Sequence, residues 1–535
     1  MRKNTRYNLL LALSYSVILI TGMYLGYKFL KDQGYTVEKN QNLTDSQAQK
    51  KDEILQIIDK KYVDDINMNN LKKLPIDSLL HELDPHSAYL PPADADDLEQ
   101  TLEGNFEGVG LEYYMLNDTM FVTGVVKDGP ASVAGIKLGD KILRIDTASV
   151  SGRKMSKDQL YGRFRGKSGT GVSVLLLHPG SPQSKRLLVT RGKINVSSID
   201  ASYLLNPETG YIRISKFGAN TDVDFLAALS NLKAAGMKKL ILDLRDNGGG
   251  YFSAATGLAD QFLPDNKLIV YTQGKHQPRT DYMSTGTGIF QQGKLAILIN
   301  ENTASASEIV AGAVQDLGRG IIVGRRSFGK GLVQEQFPFE DGSALNLTIA
   351  RYYTPNGKSI QKSYAKGYDA YKRELDDRMT DGELTSDRSS FKDSIQKGED
   401  IENRTLKITK TPGGIEPDIF VKLDTSGHNS FYGTLIKKKV LADFVFQTLT
   451  VRYPSTLVEQ NLNTFKLSES DFKDFTSFLQ KRNMLLDFHQ LNAAKPIILN
   501  NLKAILYRFY FGDVGYYRAV NPNDAVVKEA ISSLQ

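Results

Sequence analysis

Asn300 to Gln334 reads NENTASASEIVAGAVQDLGRGIIVGRRSFGKGLVQ, and it decides the class of fold. It follows an apolar run, Leu295 to Ile299, with the length of a buried strand. The small residues Thr303-Ala304-Ser305-Ala306-Ser307 lead into a helical pattern from about Glu308 to Leu317. A second apolar run, Ile321 to Val323, precedes the glycine-flanked Phe328-Gly329-Lys330-Gly331 and a polar Gln334. Strand, tight turn, helix and strand make an α/β unit. Its strand-to-helix turn is a place where a nucleophile can stand beside unpaired helix amides.

One reading of that turn is purely structural. Ser305-x-x-Glu308 matches a capping box, in which the serine satisfies orphan amides and the glutamate reaches back. Three features point further. The Ala and Ser residues let backbone or substrate approach closely. Lys330 sits on its own loop, with no acidic residue between Arg325 and Gln334. The chain has no Cys, and no His between His276 and His428, so no conventional base is near. A serine hydroxyl is a poor nucleophile until a base takes its proton. A lysine kept neutral in a desolvated pocket can serve.

In this setting the segment resembles the active site of the C-terminal processing (tail-specific) serine peptidases, which use a Ser/Lys dyad. Their pattern SASASEI, QD and FGKG..Q is met here by TASASEI, Gln315-Asp316 and FGKGLVQ. The resemblance implies Ser305 as nucleophile, Lys330 as general base and Gln334 as the residue orienting the lysine amine. Thr303 stands where many members have Ser, away from the nucleophile position. Ser307 is read as a cap or packing residue.

Outward from this stretch, Leu240 to Leu244 is a buried strand running into Arg245-Asp246-Asn247-Gly248-Gly249-Gly250. A phosphate cradle is excluded, because the spacing is not GxGxxG and no GKS/T follows. The family resemblance implies an oxyanion hole with amides from Gly249 and Ala306, and Gly248 or Gly250 could replace Gly249. Residues 96–194 resemble a PDZ domain. Gly108-Val109-Gly110-Leu111 match its carboxylate-binding loop, and GPASVAGIKLGDKILRID, Gly129 to Asp146, matches its second signature. Leu83 to Leu90, LDPHSAYL, is another feature of the peptidase family, and His81 and His86 within it are read as structural.

Arg2, Lys3 and Arg6 precede an uncharged apolar stretch, Tyr7 to Tyr27, long enough for the roughly 20 residues that cross a bilayer. The basic N-terminus places it inside, which puts the catalytic part in the periplasm of a cell with two membranes. The expected fold is therefore a multidomain α/β chain. It comprises a transmembrane anchor (1–30), tether and N-terminal helices (31–95), a PDZ domain (96–194), a peptidase domain (195–430) and a helical accessory region (431–535). Residues 364–408 read as a charged, partly disordered surface insertion. A net charge of +6 over 535 residues argues no nucleic-acid role. No metal cluster or cofactor motif is present, and Asp243, Asp246 and Asp316 are read as structural. The expected function is an anchored serine endopeptidase for proteins with apolar C-termini, with a homodimer or adaptor protein as further partners. The alternatives are a non-catalytic PDZ scaffold and an assembly factor working through its C-terminal helices.

Overall fold

The computed structural model describes residues 39–152, 155–386 and 413–535. Its centre is a six-stranded sheet in the order Ile199–Asn206, Thr209–Ile214, Lys239–Asp243, Lys294–Ile299, Ile321–Gly324 and Ile419–Phe420. The first two strands are antiparallel and the later pairs parallel. Parallel strands are covered on both faces, so they read as unbroken apolar runs. Leu240, Leu242, Leu295, Ile297 and Ile299 share a core with the helices Thr221–Ala234, Phe252–Asp260 and Ala306–Asp316. Ile241, Ala296, Leu298 and Val323 face the other way, onto Val526, Val527, Ala530 and Leu534.

That second face is covered by the helix Ala525–Ser533, at the end of the chain. The region 431–535, expected as one accessory unit, is therefore divided. Helices between Ser430 and Val520 form their own cluster around Phe444, Phe475, Leu479 and Leu502. The final helix belongs to the catalytic sheet.

A second sheet runs Ala88–Leu90, Ala344–Tyr353, Leu268–Gln273 and Thr280–Met283, and Leu332–Pro338 also pairs with Ala344–Tyr353. A turn through Glu340-Asp341-Gly342 joins those last two strands as a hairpin. The N-terminal helix Lys39–Lys61 lies in the stretch 31–95 read as tether and N-terminal helices. Its Ile54 and Ile58 pack with Leu79, Leu80, Leu345 and Leu347. The apolar stretch Tyr7–Tyr27 lies outside the described residues. Among those, no helix is long and apolar enough to cross a membrane.

On the flank, Leu111–Leu116, Thr119–Val125, Lys141–Ile145, Gly171–Leu177 and Ser184–Thr190 make an antiparallel sheet around Val122, Ile142, Val172 and Val174. Leu111–Leu116 is at its edge, paired on one side only. The C-terminal helices touch this domain through aromatic rings, with Phe121 lying 5.3 Å from Phe446 in a tilted pair and stacked on Phe509 at 5.8 Å.

Deleting residues 525–535 would expose one face of the catalytic sheet, including Ile241 and Leu298. It should cost roughly 4 kcal/mol or more of stability, read as a fall in the thermal unfolding midpoint by circular dichroism. An unchanged midpoint would show that the helix is not part of this core.

Candidate active site

The strand Lys294–Ile299 ends at Asn300, and the chain turns sharply into the helix Ala306–Asp316. Hydrogen bonds to the neighbouring loop shape the turn. Thr303 donates its hydroxyl to the Leu244 carbonyl at 2.9 Å, and Ala304 donates its amide to the Asn247 carbonyl at 3.0 Å. Ser307 donates its hydroxyl to the same Asn247 carbonyl at 3.1 Å, which makes it a packing residue. Ser305 at the apex has φ 56° and ψ −119°. A side chain in that region costs on the order of 1–3 kcal/mol and persists only where the surroundings enforce it. The turn lifts Ser305 into a cavity of about 1060 Å³, which Lys330, Gln334 and Tyr352 also line.

Two side chains tie the Ser305 turn to the Lys330 loop. Glu308, with 0% exposure, accepts the Ser305 amide at 2.8 Å and the Lys330 amide at 2.9 Å on one carboxylate oxygen. Its other oxygen accepts the Ser327 hydroxyl at 2.5 Å and the Gly329 amide at 2.8 Å. The Glu308 amide itself donates to the Ser305 carbonyl at 2.8 Å. Tyr352 presents its phenol to the Ser305 carbonyl at 3.0 Å and, still closer, to the Lys330 carbonyl. Ser305 and Lys330 are thus held by their amides on Glu308 and by their carbonyls on Tyr352. The capping-box reading of Glu308 captured only the first of these four contacts, and Tyr352 lay unnoticed in a strand. The S-x-x-E spacing was the available signal for Glu308. Nothing local pointed to Tyr352.

Lys330 donates its amine to Gln334 Oε1 at 2.8 Å, and Gln334 Nε2 donates to the His86 carbonyl at 2.6 Å. Burial lowers the lysine from its ordinary value, while Asp84 and Glu308 act the other way. His86 lies close by, held near 3 by burial and by Lys330 and Lys362, and so is neutral at ordinary pH. It is a supporting residue, as the sequence suggested.

The glycine loop approaches so closely that side chains are excluded. A Cβ on Gly249 would lie 2.7 Å from Ser305 Cβ, and one on Gly250 would lie 2.0 Å from the Phe217 carbonyl oxygen. Gly249 requires a correction. Its amide is donated to Asn247 Oδ1 at 2.9 Å and is not free for a substrate oxygen. The amides of Gly248 and Gly250 have no such bond among the described residues, nor does that of Ala306 at the helix start. Gly248, Gly249, Gly250 and Ala306 all line the cavity.

Gly108, Val109, Gly110 and Leu111 lie at the head of the Leu111–Leu116 edge strand, with Gly108 against the Phe164 carbonyl at the end of the helix Lys157–Phe164. A cavity of about 520 Å³ opens beside them, lined by Phe106, Tyr113, Tyr161 and Arg165. The helix Pro92–Glu103 stands between the two cavities, and Thr101 and Lys216 line both. Among the described residues there is no cluster of His, Cys, Asp or Glu that could hold a metal.

An α/β core with a serine on a strained strand-to-helix turn, flanked by a small domain with an open strand edge, defines a PDZ-bearing serine peptidase. Comparison with known proteins agrees. Peptidase family S41 matches residues 208–367 and the PDZ domain matches residues 108–187. The carboxy-terminal-processing protease of Bartonella bacilliformis is 33% identical over 351 residues, 64% of this chain and 80% of that protein. The carboxy-terminal processing protease CtpB of Bacillus subtilis is 31% identical over 321 residues, 59% of this chain and 66% of that one. The solved photosystem II D1 C-terminal processing protease is 28% identical, covering 70% of this chain and 93% of its own, with a TM-score of 0.37 that supports no geometric comparison. The chain belongs to peptidase family S41 and is a C-terminal processing serine protease with a PDZ domain.

Burial pushes the Glu308 carboxyl up to about 7 from 4.5, against the hydrogen bonds from Ser327, Lys330, Gly329 and Ser305. A raised acid contributes its stability below its unfolded value and gives it up as pH climbs through the folded one. Glu308→Gln cannot ionise. Relative to wild type it should therefore gain about 3 kcal/mol between pH 4.5 and pH 8, measured as the difference between two urea-unfolding series. It should also lose activity, because an amide NH₂ would face donors where an oxygen accepted two. A stability difference that stays constant over that range would mean Glu308 does not titrate there.

Proposed function

We propose that Ser305 is the nucleophile, Lys330 its general base and Gln334 the residue that orients the lysine amine. The observation that carries this reading is the double clamp on the two residues, made by Glu308 through their amides and Tyr352 through their carbonyls. It holds Ser305 and Lys330 at one cavity, beside the glycine loop, which supports the reading. A neutral lysine that donates one N–H to Gln334 Oε1 keeps its lone pair for the serine proton.

In the first step Ser305 Oγ attacks the substrate carbonyl as Lys330 takes its proton. The oxyanion then lies against the Ala306 amide and that of Gly248 or Gly250. Collapse expels the amine, which receives the proton from Lys330, and leaves an acyl-serine. Water, deprotonated by the same lysine, attacks that ester, and Lys330 returns the proton to Ser305 as it leaves. We extend the reading to substrate choice and place. The loop Gly108-Val109-Gly110-Leu111 receives the terminal carboxylate of an apolar tail, and the tail adds to the Leu111–Leu116 edge as a strand. The stretch Tyr7–Tyr27 anchors the chain in the inner membrane with the peptidase facing the periplasm.

Full-length wild type should degrade an unfolded protein with an apolar C-terminus. Ser305→Ala and Lys330→Ala should each lose at least about 1,000-fold in kcat. Lys330 acts while deprotonated, so kcat/KM should fall as pH drops through the lysine's lowered value, with the midpoint below the ordinary 10.5. Cleavage by purified Ser305→Ala at the wild-type rate would assign the nucleophile elsewhere.

A further inference from the structure

We propose that the helix Tyr368–Thr380 is a positioning element for the general base. It acts through Arg378 on the loop that carries Lys330 and through Tyr371 on the partner of its amine. The helix lies beyond the segment matched to the peptidase family, which ends at residue 367. The inference rests on Lys330 being the base.

The charged stretch 364–408 reads as a surface insertion, yet Arg378 and Tyr371 on this helix are only 4% and 5% exposed. Burying a guanidinium is costly unless its donors are met. Arg378 Nη2 donates to the Arg326 carbonyl at 2.7 Å and Nη1 to the Ser327 carbonyl at 3.3 Å. Its Nε donates to Glu383 at 3.0 Å. Ser327 is the residue whose hydroxyl reaches Glu308, and Phe328-Gly329-Lys330 follow directly. Arg326 is held in turn by Glu383 at 2.9 Å and Glu374 at 3.2 Å, both from the same segment.

Tyr371 supplies a second, independent connection. Its hydroxyl lies 2.7 Å from His86 Nε2, the His86 carbonyl accepts Gln334 Nε2 at 2.6 Å, and Gln334 Oε1 accepts the Lys330 amine at 2.8 Å. Lys362 completes the packing. Its amine sits 3.9 Å above the Phe328 ring and 4.3 Å above the Tyr371 ring, and is paired with Glu374 at 2.8 Å. One helix therefore fixes both the main chain before the lysine and the hydrogen-bond acceptor of its amine. The charged and titratable groups around that amine are Asp84, Glu308 and His86, with Lys362 behind His86.

The test uses the full-length enzyme, with rates normalised to the fraction of Ser305 acylated by a serine-directed reagent, so that misfolded protein is not counted. Arg378→Ala should lower kcat about 10-fold with KM changed less than about two-fold, because a base displaced by a fraction of an ångström reacts poorly. The acid limb of kcat/KM should move to higher pH, since a loosened loop admits water to Lys330 and relieves its desolvation. Tyr371→Phe, which removes one oxygen, should shift both quantities in the same direction by about three-fold in kcat. Arg378→Lys should recover part of the loss. A purely structural role would lower the titratable fraction and leave the normalised kcat and the pH limb where they were; that result in both variants overturns the proposal. If Arg378→Ala does not fold, Tyr371→Phe decides alone. Failure of the dyad reading is distinguishable, because it would appear as activity retained in Lys330→Ala.

Discussion

A buried carboxylate with all its contacts on main chain and hydroxyl donors is the constraint on which this site depends. Glu308 accepts from Ser305, Lys330, Gly329 and Ser327 in a space closed to water. Each of those donors, left unpaired in a buried setting, would cost about 1–3 kcal/mol. The turn bearing the serine and the loop bearing the lysine therefore cannot separate without orphaning several groups together. Tyr352 closes the arrangement from the carbonyl side. Two segments distant in sequence behave as one rigid piece because a single acid and a single phenol are shared between them.

The remainder of the fold delivers chain to that piece. The parallel sheet presents the ends of Lys239–Asp243 and Lys294–Ile299 side by side, so the glycine loop and the Ser305 turn leave it as neighbours. The edge strand of the PDZ domain and the peptidase cavity lie on opposite sides of the helix Pro92–Glu103. The cavity beside the PDZ edge strand is one helix away from the cavity that holds Ser305. The C-terminal helices brace this geometry, with Tyr114 of the edge strand donating to Asp443 at 2.8 Å.

The sequence was readable where chemistry demands particular residues at short spacing. TASASEI, FGKG and the glycine run brought Ser305, Lys330 and the loop onto one cavity without any view of the fold. It was unreadable where a residue's role lies in a distant partner. Tyr352 reaches back to Ser305 and Lys330, and Arg378 reaches the Ser327 carbonyl; no periodicity encodes either pairing. The charge density of 364–408 suggested solvation, because composition does not reveal that its Glu374, Arg378 and Glu383 pair with one another and with Arg326 and Lys362 in a largely buried cluster. Gly249 illustrates a further limit. Its glycine is required by the approach of Ser305, but whether its amide is free depends on how the Asn247 side chain turns. The last helix, read as accessory, became part of the catalytic sheet because the sheet has two apolar faces and only one was covered by the residues between its strands.

The site gathers unfavourable terms in one place. Ser305 holds a left-handed backbone, Lys330 is desolvated, Glu308 is an acid raised by burial and His86 is a neutral imidazole. Glu308 and His86 respond to pH in opposite senses. Ionising Glu308 above its raised value costs stability, whereas protonating His86 costs stability as pH falls from its ordinary 6.5 towards about 3. The pH at which the fold tolerates the site best therefore lies between these two demands. On the alkaline side Lys330 loses its charge and Glu308 can accept all four of its donors. These opposed demands meet within a single cluster, and the extensive apolar core on both faces of the sheet offsets that strain.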